Sequence, residues 1–187
     1  MALRNPPYPS LQDLLLAYLS GIQEDPGTHE LCRRLRPARA RGYLTRKELI
    51  LVCRWKSTRA LGQITRNSPA RVVSITRLAF QARTEIEKIE RLMTLRGVGV
   101  PMASALLMLT FPRLYPVLDI RVWQVLYAMK AVTDNPGGVG FTGRHWVCYL
   151  DLLRRLARKL GVRPRAAERA LLQAHRALQA GTLYRRA

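Results

Sequence analysis

Residues 92–107, LMTLRGVGVPMASALL, place one valine between two glycines at the junction of two helix-forming segments. The first segment carries apolar residues at helical spacing, namely Ile86, Ile89 and Met93. Pro101 suits the first turn of the second helix, because the N–H that proline lacks would have no partner there. Gly97 and Gly99 permit a tight turn that exposes backbone N–H groups at a helix N-terminus. The segment therefore predicts a helical hairpin whose turn binds an anion.

The net charge of the chain indicates which anion to expect. The 187 residues include 32 Lys and Arg against 12 Asp and Glu, a formal charge of +20. Solubility does not require so large an excess, and a polyanion such as DNA is the natural partner. A genome that favours arginine codons is an alternative reason for the many arginines, but it does not explain the scarcity of acidic residues.

The sequence gives no sign of a membrane segment, an export signal or a cysteine-based cluster. The longest apolar runs, residues 14–19 and 102–109, are much shorter than the ~20 residues that span a bilayer. Residues 1–10 contain three prolines and no hydrophobic signal region, so a cytoplasmic location is expected. The three cysteines are widely spaced and odd in number, which argues against a disulfide framework or an iron–sulfur cluster.

The hydrophobic pattern predicts an all-α fold. Apolar residues recur every three or four positions, whereas sustained alternation is hard to find. Clusters of Pro, Gly and Asn supply the breaks between helices. The predicted helices cover residues 10–21, 28–36, 45–59, 69–80, 83–94, 101–110, 120–131, 143–160 and 164–180. The length of the chain favours a single domain, residues 1–187.

The hairpin segment resembles the helix-hairpin-helix motif of the endonuclease III-like (HhH-GPD) DNA glycosylases, written Leu-Pro-Gly-Val-Gly-X-Lys-Thr-Ala. The small residues that follow the turn let the two helices approach closely, and they are Ala103, Ser104 and Ala105. A glycine that merely ends a helix is the structural alternative. The resemblance is clearest over residues 45–130, and the chain is similar to an atypical, short member. It implies a two-lobed helical fold with the hairpin at about residues 84–110 and the N- and C-terminal helices in the second lobe.

Asp119 is the only acidic residue between Glu90 and Asp134, and it stands in the apolar stretch of residues 115–120. From the residues alone, its side chain is expected to cap the helix that follows. The family carries an essential aspartate in the string Val-Asp-Thr-His-Val-X-Arg-Val, which residues 118–125, LDIRVWQV, resemble in frame. The resemblance therefore implies that Asp119 is the catalytic carboxylate.

Pro101 occupies the position at which bifunctional members of the family keep a Schiff-base lysine, and Asp119 follows that position by 18 residues as in endonuclease III-like sequences. The resemblance implies hydrolysis of the N-glycosidic bond without lyase activity, with Asp119 stabilising the cationic sugar or activating water. Ile120 and Arg121 replace the threonine and histidine that follow the family aspartate. The residues expected to contact the DNA backbone are Arg96, Gly97, Val98, Gly99 and Arg121.

Residues 48–59 resemble the helix that supplies a wedge into DNA and part of the base pocket in these enzymes. Extruding a nucleotide leaves a gap in the base stack, and the polar and aromatic end of this segment is suited to fill it. The wedge or pocket residues expected in this segment are Trp55, Lys56, Ser57 and Arg59. Tyr115 and Trp123 are expected to form pocket walls as well, because they lie near Asp119 in the sequence. The alternative is that Trp55 packs in the core and that the neighbouring cations are solvated.

The resemblance implies no required cofactor, although hairpin turns in related glycosylases bind a monovalent cation, Na or K, through backbone carbonyls. By position, those carbonyls belong to Met93, Leu95 and Val98.

The leading prediction is a monomeric, DNA-binding, monofunctional DNA glycosylase that flips out and excises a damaged or modified base. Base-excision repair and antiviral attack on modified bacteriophage DNA both fit this prediction. The rival is a non-catalytic helix-hairpin-helix protein that binds DNA or structured RNA through phosphates.

Overall fold

The computed structural model describes Leu3 and residues 6–179, which form eleven α-helices and one 3₁₀ turn. In this part of the chain no strand is present, and an isolated β-type bridge joins Leu3 to Gln179. The all-α prediction is thus confirmed. The helices are α1 (Leu11–Leu19), α2 (Pro26–Arg34), α3 (Arg36–Arg41), α4 (Arg46–Lys56), α5 (Leu61–Ile64), α6 (Pro69–Gln81), α7 (Glu85–Met93), α8 (Val100–Thr110), α9 (Ile120–Ala128), α10 (Gly143–Lys159) and α11 (Pro164–Leu178), with the 3₁₀ turn at Thr58–Ala60.

Local capping residues explain where several helices begin. Thr45 and Glu48 form a reciprocal capping box at α4, in which the Glu48 carboxylate accepts the Thr45 N–H at 2.7 Å. The hydroxyls of Ser68 and Thr84 accept N–H groups from the first turns of α6 and α7. Each such cap stabilises its helix by about 1 kcal/mol, so these boundaries follow from the sequence.

The predicted helix over residues 45–59 is shorter in the structure and ends at Lys56. Ser57 adopts an extended backbone, after which the 3₁₀ turn and α5 lead away. The structure also contains α3, which the periodicity did not predict because only Ala38 of its six residues is buried. Residue 180, the last of the final predicted helix, lies outside the described residues.

The hairpin helix α8 lies at the centre of the core. Val100 and every residue from 102 to 110 are buried, and α2, α3, α4 and α7 pack around them. On another side of the molecule α1 packs against α11, which also contacts α9 and α10. In the segment that joins α8 to α9, residues 115–118 are buried, and they lead directly to the partly buried Asp119.

Among the described residues, no helix has both the length and the apolarity that crossing a membrane requires.

Candidate active site and nucleic-acid interface

Asp119 is the N-cap of α9. Its backbone is extended, and its Oδ1 accepts the N–H groups of Arg121 at 2.9 Å and Val122 at 3.2 Å. The preceding residue is fixed as well, because the Leu118 N–H donates to the buried Ser104 hydroxyl of α8 at 3.0 Å. The backbone before Asp119 and the carboxylate itself are therefore both fixed by hydrogen bonds, and 19% of the side chain is exposed.

Lys56 faces the free oxygen of this carboxylate. Its Nζ lies 3.4 Å from Asp119 Oδ2, and Arg121 Nη1 lies 4.0 Å from the same atom. Lys56 is the last residue of α4 and is 63 positions from Asp119, so tertiary packing alone brings the pair together. The sequence predicted Lys56 as a wedge or pocket residue, and the structure places it directly against the predicted catalytic group.

The pKa of Asp119 is lowered by these neighbours. Burial by itself would raise the pKa of the carboxyl, but the charge of Lys56, the Val122 N–H and the charge of Arg121 outweigh it. The net pKa is below that of an ordinary aspartate. Asp119 is therefore an anion at neutral pH.

One side of Asp119 opens into a cavity of about 430 Å³, here called the polar cavity. A volume of this size lies within the range of small-ligand sites. The residues that line it are Asp25, Thr28, Trp55, Lys56, Val117, Asp119, Arg121, Arg165, Glu168, Arg169, Leu172, Gln173 and Arg176.

Trp55 forms one wall of the polar cavity and is half-buried. Its indole Nε1–H donates to the Thr28 hydroxyl at 2.8 Å, and the Arg165 guanidinium lies 5.9 Å from the ring centroid. The side chain is thus neither a simple core residue nor a free wedge. It is an aromatic wall whose polar edge is anchored.

Glu168 is a second carboxyl group in the polar cavity, and it is 3% exposed. Its Oε2 accepts the Val117 N–H at 3.2 Å and a hydrogen bond from Arg165. Burial raises the pKa of Glu168, and the charge of Asp119 adds to that effect, although Arg165 opposes it. Asp119 and Glu168 are therefore two acids with opposite pKa shifts on one cavity, an arrangement common in acid–base sites.

The other side of Asp119 faces a cavity of about 620 Å³, here called the hairpin cavity. Lys56, Asp119 and Arg121 belong to both cavities and form the boundary between them. The other lining residues come from the segment after α4, from the hairpin, from the start of α9 and from the loop after α9. They are Ser57, Arg59, Ala60, Gly97, Gly99, Val100, Pro101, Met102, Ile120, Gly138, Val139, Gly140 and Phe141.

The hairpin turn is held tightly against the segment that follows α4. Gly97 has a φ of +77°, and a Cβ atom there would lie 2.9 Å from Gln63 Cβ and 3.2 Å from the Ala60 carbonyl oxygen. Asn67, which is 1% exposed, accepts the Arg96 N–H at 2.9 Å and donates to the carbonyl oxygens of Arg96 and Ile64 at 3.0 Å. The turn is therefore held in one conformation by its neighbours.

The predicted backbone contacts are only partly available. Gly97 and Gly99 are exposed on the hairpin cavity, and Arg96 is exposed. Val98 is 5% exposed, and its N–H donates to the Leu95 carbonyl at 3.1 Å. The prediction that Val98 contacts phosphate is therefore corrected: its N–H closes the turn, and the glycines present the outer surface.

Tyr115 and Trp123 line neither the polar cavity nor the hairpin cavity, which corrects the prediction that they form pocket walls. Tyr115 packs on Phe111 and Trp146, and its hydroxyl accepts a hydrogen bond from Lys88 at 2.8 Å. Trp123 is fully buried, because α9 turns its ring toward the core. Proximity to Asp119 in the sequence was a poor guide here, because the packing of the whole segment decides which way a side chain points.

The sequence analysis did not select Glu168, Thr28 or Asn67. Glu168 carries no motif, and only its burial beside Arg165 gives it importance. Asn67 precedes Ser68 and Pro69, a sequence typical of the start of a helix, so nothing set it apart. Glu168 is the only acidic residue of α11, and this was the one available signal for it.

No cluster of three or more His, Cys, Asp and Glu residues suited to a metal ion is found within Leu3 and residues 6–179. The cation site at the carbonyls of Met93, Leu95 and Val98 is of another kind and stays a prediction. Comparisons of the chain with protein-family models, curated proteins and solved structures found no match.

Proposed function

We propose that this protein is a DNA N-glycosylase of the helix-hairpin-helix type, with a two-lobed fold, which excises a damaged or modified base and leaves an abasic site. The observation that carries the proposal is the position of Asp119. Its ionised carboxylate lies on the boundary between a small polar cavity and a wider cavity bordered by the glycine turn.

The two cavities suit the two parts of a flipped nucleotide. DNA phosphate would bind the exposed turn at Gly97 and Gly99, with Arg96 and Arg121 adding charge. The extruded base would enter the polar cavity and lie against Trp55. The sugar carbon that links the two parts would then lie close to Asp119.

Asp119 supplies the electrostatic part of the reaction. As the base departs, positive charge develops on the sugar, and a fixed carboxylate stabilises that charge without reorganisation. Water, oriented by Asp119, then forms a bond to the sugar carbon; its hydroxyl group stays on the sugar, and its other hydrogen passes as a proton to the released base. The buried Glu168 carboxyl lies on the side from which the base leaves, so it is the candidate group to contact the base.

Pro101, at the position where bifunctional members of the family keep their lysine, favours hydrolysis rather than attack by an amine, and so a monofunctional enzyme. Lys56 has another role in this proposal. Its Nζ lies 3.4 Å from Asp119 Oδ2, and its charge lowers the pKa of that carboxyl. Lys56 thus favours the ionised form of Asp119 and carries charge toward the DNA.

The test is an assay for abasic sites on DNAs that carry different damaged or modified bases, repair substrates and modified bacteriophage DNA included. Asp119→Asn is the decisive variant, because asparagine is as good a helix N-cap as aspartate and folding should be retained. Asp151→Asn is the matched control, since it removes one exposed carboxylate from α10, away from both cavities.

We expect wild type and Asp151→Asn to form abasic sites, and Asp119→Asn to bind DNA while forming at least about 100-fold fewer. Strands should break only after heat or alkali. Efficient borohydride trapping that disappears in Lys56→Arg would overturn the hydrolytic mechanism but not the glycosylase. If wild type forms no abasic sites on any of these DNAs, or Asp119→Asn forms as many, the protein is the non-catalytic binder.

A further inference from the structure

A third cavity, of about 600 Å³, lies between α2, α3, the segment after α8 and the start of α11. We propose that this arginine cavity is a binding site for a nucleotide that carries several phosphate charges. Asp119 and the hairpin glycines do not border it, so the inference is independent of the proposed glycosylase.

The charged side chains that line the cavity are mostly positive. Seven arginines from four separate segments face it, together with a single carboxylate, that of Glu24. Gathering like charges around one concave surface costs free energy in the folded protein. An anionic ligand that neutralises them would offset this cost.

Only three of the seven arginines are neutralised by acidic residues. Arg165 and Arg169 both pair with Glu24, at 2.8 Å in the case of Arg165, and Arg33 pairs with Glu30 at 2.7 Å. Glu24 and Glu30 are therefore already paired and do not neutralise the other four arginines.

The remaining four guanidinium groups have no acidic partner among the described residues, and they are Arg36, Arg39, Arg113 and Arg163. All four are exposed, so a ligand can reach them. Arg39 is also oriented, because its Nε donates to the Thr110 carbonyl at 2.9 Å and its guanidinium lies 5.9 Å from the Phe111 ring centroid. Guanidinium groups hold phosphate oxygens in pairs, so four of them match a polyphosphate.

The size and the walls of the cavity indicate a nucleotide rather than a single phosphate ion. A volume of about 600 Å³ is typical of sites for ligands of nucleotide size. Part of the lining is apolar and comes from Ile22, Pro112, Val162 and Ala166. These walls would contact the base or sugar while the arginines hold the phosphates, and the nucleotide is either free or the phosphorylated end of a strand.

The test measures binding of fluorescently labelled ATP by anisotropy at about 150 mM salt, where weak unspecific attraction is largely screened. The variant is Arg36→Gln, Arg113→Gln and Arg163→Gln combined. Its matched control combines Arg83→Gln, Lys130→Gln and Arg144→Gln, which removes the same charge from exposed positions outside all three cavities. All six side chains are exposed, so both variants should unfold at the wild-type temperature.

We expect the cavity variant to bind labelled ATP at least about tenfold more weakly than wild type, and the control to change less than about twofold. Competition experiments distinguish a free nucleotide from the phosphorylated end of a strand. The competitors are unlabelled ATP and a single-stranded oligonucleotide with and without a 5′-phosphate. Stronger displacement by ATP identifies a free nucleotide, and stronger displacement by the 5′-phosphorylated strand identifies a strand end. Equal losses in the two variants, or no binding of labelled ATP to wild type, would overturn the proposal whether or not the protein excises bases.

Discussion

Replacing Gly97 by alanine tests whether the hairpin turn is held rigidly against the segment that follows α4. Gly97 has a φ of +77°, a conformation that costs a residue with a Cβ about 1–2 kcal/mol. The added Cβ would also lie 2.9 Å from Gln63 Cβ and 3.2 Å from the Ala60 carbonyl oxygen. Crowding of this kind costs about 1–3 kcal/mol, so the expected total loss of stability is about 2–5 kcal/mol.

Gly42→Ala is the matched control, because Gly42 has a φ of +80° and no other atom within 4 Å of the added Cβ. It carries the backbone cost alone, about 1–2 kcal/mol. The free energies of unfolding of wild type and both variants are measured in urea, and DNA affinity is measured at several salt concentrations. The difference between the two variants isolates the contact between the turn and α5.

The expected result is a larger loss for Gly97→Ala, together with weaker DNA binding that Gly42→Ala does not show. The binding should weaken because a shifted turn no longer presents its N–H groups to phosphate. Equal losses of stability in the two variants would refute the close packing of the turn. A larger loss of stability with unchanged DNA affinity would refute the role of the turn in binding.

Two further predictions concern buried polar groups. Asn67→Ala removes three side-chain hydrogen bonds that join the turn to α5, and it should lower the free energy of unfolding in urea by about 2–4 kcal/mol. A loss below about 1 kcal/mol would contradict the role of Asn67 in holding the turn. The pKa of Asp119 is lowered in the folded protein, so its ionised form stabilises the fold above the pKa of an unfolded aspartate, and this is lost as pH falls through the folded-state pKa. Asp119→Asn should therefore flatten the fall in stability below about pH 4, and an unchanged acid limb would contradict the shift.

The sequence was informative wherever a structural feature depends on neighbouring residues. Helix starts follow from caps such as Thr45 and Asp119, whose side chains bond to the next turn of the same helix. The hairpin could be predicted from Gly97, because glycine is the residue type that adopts the left-handed backbone of this turn without strain. The helix α3 escaped prediction because a run of arginines with one buried alanine has no apolar periodicity.

The candidate site depends on contacts between distant segments, and there the sequence was less informative. Lys56 meets Asp119 across 63 positions, and Asn67 meets Arg96 across 29. Neither pairing leaves a local pattern. Tyr115 was assigned to the pocket because it is near Asp119 in sequence, but the orientation of a side chain depends on the packing of its whole segment.

Arg165 and Arg169 line both the polar cavity and the arginine cavity, and they separate the two with their side chains and their shared partner Glu24. Any molecule that draws one of these guanidinium groups toward itself alters the electrostatic potential on the far side of the partition. Thermodynamic linkage makes this influence mutual: if occupancy of one compartment changes affinity in the other, the reverse change has the same size. Because Arg165 and Arg169 border both, the polar cavity and the arginine cavity are candidates for heterotropic cooperativity between their ligands.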